Sequence, residues 1–171
     1  MKKTKKIVFM SMMLSYSLIL YFIEAALPSL YFIAPGAKLG LANIISLILL
    51  YISGFWTALV VLILRIVMAS IFGGGFSSFI YSFCGGIFAI LAMGTLKKMN
   101  IQSLSEIGVS VAGAVFFNIG QLFAASLMIE NLSIFVYLPV MIYVSIATGI
   151  FVGFVSKFVI QKLEKSLRMK S

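Results

Sequence analysis

The chain has 171 residues, 63% of them hydrophobic and 10% charged, with a mean hydropathy of +1.20 and a formal net charge of +9. No soluble domain of this size needs so much apolar surface, which makes the chain an integral membrane protein. Histidine and aspartate are absent, cysteine occurs once (Cys84), and the glutamates are Glu24, Glu106, Glu130 and Glu164. That inventory excludes a disulfide framework, a multi-cysteine metal centre, an imidazole base, and the carboxylate cluster that would hold Mg²⁺ on a diphosphate. A GxxxxGK[ST] phosphate loop is also missing, so the chain does not hydrolyse ATP by itself. A non-enzyme with no cofactor is the expectation.

Six apolar segments follow one another, at about 7–27, 39–53, 54–72, 77–96, 104–128 and 134–156. The first follows Lys2, Lys3, Lys5 and Lys6 without a small-residue cleavage site before Glu24, and so reads as a retained helix that ends before Pro28. Residues 28–38 combine two prolines with Leu30, Tyr31, Phe32 and Ile33; too irregular for a helix and too apolar for water, they read as an extracellular lid. The second segment is short enough to pass for a half-span, and Gly54 joins it to the third. Gly73, Gly74 and Gly75 break the chain before the fourth, Lys97 and Lys98 end that span, and "ENLSIFVYLP" (130–139) separates the last two. Six crossings bring together the N-terminus, the 97–103 loop and the C-terminus, which carries Lys157, Lys162, Lys165, Arg168 and Lys170. Those three places hold all but two of the basic residues, so the positive-inside rule puts both termini in the cytoplasm. The charge thus marks membrane orientation, and no nucleic-acid partner is expected. The expected fold is a single all-α transmembrane domain over 1–171, a six-helix bundle in the lipid bilayer.

The two remaining basic residues are Lys38 and Arg65. Arg65 falls seven residues before the outer end of the third segment, about 10 Å deep at 1.5 Å per residue. A cation there needs protein, water or a counter-charge around it. Glu24 lies at the outer end of the first span, Asn43 just inside the second, and Asn118 and Gln121 at i, i+3 in the fifth. Ser78, Tyr81 and Ser82 open the fourth, and Tyr143 can join from the sixth. Mutual pairing, of Glu24 with Lys38 or Arg65 and of Asn118 with Gln121, is the plain alternative. As a set they read as a ligand site in the outer half, comprising Lys38, Asn43, Arg65, Asn118, Gln121, Glu24 and Tyr81. Its surplus positive charge suits an anionic or strongly polar small molecule. Ser11 with Ser15, and Gly149 with Gly153, are small-xxx-small pairs, suited either to packing within the bundle or to a partner membrane protein.

The stretch "PGAKLGLANIISLILLYISG" (35–54) resembles the PGxKLGLAN signature of the Gx transporter family, also labelled heptaprenyl diphosphate synthase component I. Arg65, "FNIGQ" (117–121), "YLP" (137–139) and Gly149/Gly153 agree in order. The family is similar to the S components of energy-coupling-factor (ECF) transporters. The resemblance implies a small-molecule-binding subunit of the bacterial cytoplasmic membrane, partnered by an ECF T subunit and two cytoplasmic ATPase subunits. It also implies ligand roles for Lys38, Asn43, Arg65, Asn118 and Gln121, and docking of the T subunit at Ser11 and Ser15. Flavins, quinone precursors and isoprenoid-related compounds are the candidate ligands. Where the family commonly has a histidine before the NxGQ asparagine, this chain has Phe117, so the ligand is not inherited with the resemblance. Two other functions stay open: a membrane scaffold for a polyprenyl diphosphate synthase, and a stand-alone secondary transporter coupled through Glu24.

Overall fold

In the computed structural model the described residues, 3–26, 38–99 and 104–168, form six α-helices. They are α1 (Lys3–Ala26), α2 (Asn43–Ile52), α3 (Phe55–Ala69), α4 (Gly75–Lys98), α5 (Glu106–Ile129) and α6 (Leu138–Arg168). Among the described residues there is no strand. Among the described residues, five stretches are long and apolar enough to cross a bilayer: Thr4–Ala26, Phe55–Gly73, Gly75–Lys98, Glu106–Ile129 and Leu132–Lys165. The chain is a multi-pass, all-helical membrane protein. The lid expected at 28–38 lies, apart from Lys38, outside the described residues.

The second segment, short enough in the sequence to pass for a half-span, is short in the structure as well. Its helix has 10 residues, a rise of about 15 Å against a hydrocarbon core of about 30 Å. The shortening starts at its entry. Gly40 takes a φ of 79°, and its carbonyl accepts the Asn43 N–H at 2.9 Å, so a turn occupies positions where helix was expected. Gly54, with φ of 87°, ends the connection to α3. A short helix at membrane depth is tolerable only if protein surrounds it. That condition is met, since every residue from Asn43 to Leu50 is buried. Leu47, Ile48, Leu49 and Leu50 form the centre of the main core, against Met13 of α1, Leu62 and Ile66 of α3, Ile90 and Met93 of α4, and Val152 and Ile160 of α6.

The outer helices show one buried stripe each. α1 buries Met13, Ser17 and Glu24, spaced four and seven apart, and turns Ile7, Val8, Met12, Tyr16, Ile19 and Ile23 outward. α3 runs into a kinked turn over Ser70–Gly74, in which Gly73 leaves helical geometry. α5 starts on Ser105, whose side chain accepts the Gly108 N–H, with Glu106 favourably placed in its first turn. α6 continues past the end expected at 156, so the basic stretch as far as Arg168 is helix.

Glycines let α4, α5 and α6 approach closely. A Cβ on Gly120 would sit 2.7 Å from the Cys84 carbonyl oxygen, and one on Gly85 2.9 Å from that of Phe117. Gly149 and Gly153 face Val111 and Ile107 of α5 at comparable range. Of the two uses open to that pair, the structure realises packing within the bundle. Ser11 and Ser15 do the opposite: both are exposed, and their hydroxyls donate back to the carbonyls of Ile7 and Ser11 on their own helix.

Candidate functional site

Two residues from α1 organise the stretch that leads into α2. Glu24 accepts two backbone N–H groups with one carboxylate, Gly40 at 2.7 Å on Oε1 and Leu41 at 2.9 Å on Oε2. Tyr21, one turn earlier and on the same face, lies under the Lys38 ammonium, 4.7 Å from Nζ to the ring centroid. Lys38 Nζ donates to Ser78 Oγ at 2.6 Å, to Ser82 Oγ at 2.9 Å and to the Tyr21 hydroxyl at 3.4 Å. Three donors thus meet three acceptors. Its backbone N–H donates to Gln121 Oε1 at 3.3 Å. Residues 38–41 are therefore tied to α1, α4 and α5 at once.

Arg65 is 5% exposed, and among the described residues it has no carboxylate within ion-pair distance. It lines a pocket with Glu24, Lys38, Tyr21 and Ser82 on the polar side and Ala42, Ile66, Ala69 and Phe117 on the apolar side. The empty space is about 310 Å³ counting the open mouth, while the enclosed part has room for a water or two. The plain alternative of mutual pairing is not what the side chains do. Glu24 spends both oxygens on backbone amides, and Asn118 turns to α6 rather than to Gln121. Its Nδ2 donates to Ser145 Oγ at 2.5 Å and more weakly to the Met141 carbonyl at 3.5 Å.

The expected site residues are thus only partly brought together. Glu24, Lys38 and Arg65 share the pocket wall. Gln121 reaches it through the Lys38 backbone, while Asn43 and Asn118 are buried outside the lining, at the start of α2 and against α6. Asn43 Oδ1, Asn118 Oδ1 and Gln121 Nε2 find no hydrogen-bond partner among the described residues. Tyr81 does not line the pocket; Ser78 and Ser82, four apart and on one face of α4, meet the lysine instead, and position 81 falls about 100° round the helix. Tyr143 is 76% exposed and points away from the bundle, and α6 contributes Ser145 in its place. Tyr21 was not foreseen. Its i, i+3 spacing from Glu24 was the available signal.

These features define a polytopic helical membrane protein with a charged recess between its helices. Residues 13–159 match the profile of the heptaprenyl diphosphate synthase component I family, and the chain belongs to that family. No curated protein and no solved structure matches it.

Proposed function

We propose that the chain is a substrate-binding S component of an ECF-type transporter in the bacterial cytoplasmic membrane, capturing a small anionic or amphipathic metabolite in the recess around Arg65. One observation carries the reading: a guanidinium with 5% exposure forms a pocket wall without a carboxylate within ion-pair distance among the described residues. A buried cation of that kind is costly unless something else supplies the negative charge. The reading includes six membrane-embedded segments with both termini cytoplasmic, α2 counting as a short crossing completed by residues 38–42. Contacts at the opposite end of the bundle support it. Lys97, at the end of α4, donates to the Leu50 carbonyl of α2 at 2.6 Å, and Lys157 of α6 lies 3.9 Å from Glu106 at the start of α5.

Partner roles belong to the same proposal. The exposed Ser11/Ser15 face of α1 would receive the T subunit, which two ATPase subunits energise. Flavins, quinone precursors and isoprenoid-related compounds remain the candidate ligand classes. The secondary-transporter reading is less well supported, because both Glu24 oxygens hold backbone amides and proton uptake there would release the 38–41 stretch. The family description favours a second reading, a membrane accessory of a polyprenyl diphosphate synthase. One experiment separates them: mass spectrometry of small molecules retained by the purified protein and by Arg65→Ala. The transporter reading expects a stoichiometric anion whose affinity falls about tenfold or more in the variant, the equivalent of one charge-assisted contact of about 1.4 kcal/mol. Unchanged affinity refutes the site, and a co-purifying prenyl synthase with no small molecule favours the accessory reading.

A further inference from the structure

The recess carries a fixed and countable charge. Its walls hold two cations, Lys38 and Arg65, and one anion, Glu24. The segment between α1 and Lys38, "LPSLYFIAPGA" (27–37), contains no ionisable acid or base other than Tyr31, so it brings no charge at neutral pH. Glu130 is exposed at the far end of α5, nine residues beyond Gln121, or about 13 Å of helix rise. Glu106 pairs with Lys157 at the opposite end of the bundle. Glu164 acts on Lys97 at that same end, so among the described residues no other side-chain carboxylate is available to the pocket.

The two cations are not equivalent. Lys38 has used all three of its protons on Ser78, Ser82 and Tyr21, and Glu24 has used both oxygens on Gly40 and Leu41. What remains among the described residues is one guanidinium facing a partly apolar cavity, with a net charge of plus one around it. We infer that the ligand presents a single negative charge to Arg65, on a small apolar or aromatic body that lies against Phe117, Ile66 and Ala69. A carboxylate or another monoanion neutralises the recess. A neutral molecule leaves the guanidinium uncompensated, and a dianion such as a phosphate monoester reverses the charge in a setting where either surplus is expensive. This inference rests on the recess being the ligand site and specifies the chemistry it takes.

The test uses three probes of one shape, benzoate, benzamide and phenyl phosphate, at low salt and about pH 8, where the phosphate is a dianion. Melting of the full chain in lipid nanodiscs is followed for the wild type, Arg65→Gln and Arg65→Lys. Benzoate is expected to raise the melting temperature, with benzamide and phenyl phosphate each at least about tenfold weaker. Arg65→Gln should lose the benzoate response yet melt higher than the wild type without ligand, because an uncompensated buried charge has gone. Arg65→Lys should keep the order of preference at lower affinity. A response to benzamide or phenyl phosphate as strong as that to benzoate overturns the monoanion assignment and leaves the recess as the site. No response to any probe, or a benzoate response that survives in Arg65→Gln, overturns the site itself. A ligand-free Arg65→Gln protein that melts lower than the wild type shows Arg65 already neutralised within the protein, and the charge argument fails.

Discussion

Glu24 is the position at which the recess is most exposed to a single substitution. Its carboxylate accepts the Gly40 and Leu41 amides at 2.7 and 2.9 Å while only 9% exposed. Hydrogen bonds to a charged group contribute about 1.5–3 kcal/mol each. Glu24→Ala therefore removes about 3–6 kcal/mol of anchorage and leaves two amide protons without an acceptor in a place water reaches poorly. Glu24→Gln keeps the shape and one acceptor oxygen but turns an NH₂ group toward the second amide, so about 2–3 kcal/mol of loss is expected. The local readout is hydrogen exchange at Gly40 and Leu41, which should speed up by about a hundredfold if the loss is near 3 kcal/mol. Exchange at residues 47–50, in the centre of the core, should change far less, since the damage is confined to the entry of α2. Unaltered protection of the two amides in Glu24→Ala, together with an unfolding midpoint within about 0.5 kcal/mol of the wild type, would refute the anchorage.

Two further outcomes follow from packing. Gly120→Ala places a Cβ 2.7 Å from the Cys84 carbonyl oxygen and 2.9 Å from Gly85 Cα, backbone atoms that yield only if α4 and α5 separate; a loss of about 1–3 kcal/mol in unfolding measurements is expected, and wild-type stability would contradict the close crossing. Ser11→Leu with Ser15→Leu changes only exposed positions. The pair should leave melting of the isolated chain within about 0.5 kcal/mol while weakening co-purification with the proposed T subunit, and intact assembly would remove α1 as the proposed docking face.

How far the sequence could be read depended on the kind of fact. The apolar stretches and the punctuation at Pro28, Gly54, the three glycines and Lys97 are one-dimensional signals, and the helices obey them. α2 was harder. Its apolar run continues back to Leu41, but the turn at Gly40, with its positive φ and its amide and that of Leu41 held by Glu24, delays the helix to Asn43. The positions of Arg65 and Glu24 along their helices followed from counting residues, and both side chains are buried. Their partners did not, because hydrogen bonding across 40 residues of sequence, as between Lys38 and Ser78, leaves no periodic trace. The i, i+3 pair Asn118 and Gln121 shows the same limit: neighbours on one helix face still chose partners on two other elements, Ser145 and Lys38. Small-residue pairs are ambiguous for a related reason, since the spacing is identical whether the face meets α5, as at Gly149, or is left exposed, as at Ser11.

The charge count links the anchorage to selectivity, and one substitution probes both. Glu24→Gln removes the sole carboxylate among the described pocket residues, so the recess moves from one surplus positive charge to two. General loosening of the 38–41 stretch weakens every ligand alike, whereas the added charge favours a dianion over a monoanion. The ratio of affinities for phenyl phosphate and benzoate cancels the first effect and isolates the second. An effective contribution of about 1.4 kcal/mol from the lost carboxylate raises that ratio about tenfold over the wild type. The measurement is a pair of titrations on the variant and on the wild type at matched ionic strength, because the surplus acts partly through a mouth open to solvent and is weakened by salt. A ratio equal to that of the wild type would mean that Glu24 is too strongly committed to the Gly40 and Leu41 amides for its charge to be felt in the cavity. The count of one surplus positive charge would then fail, and a monoanion preference in the wild type would have to come from Arg65 alone.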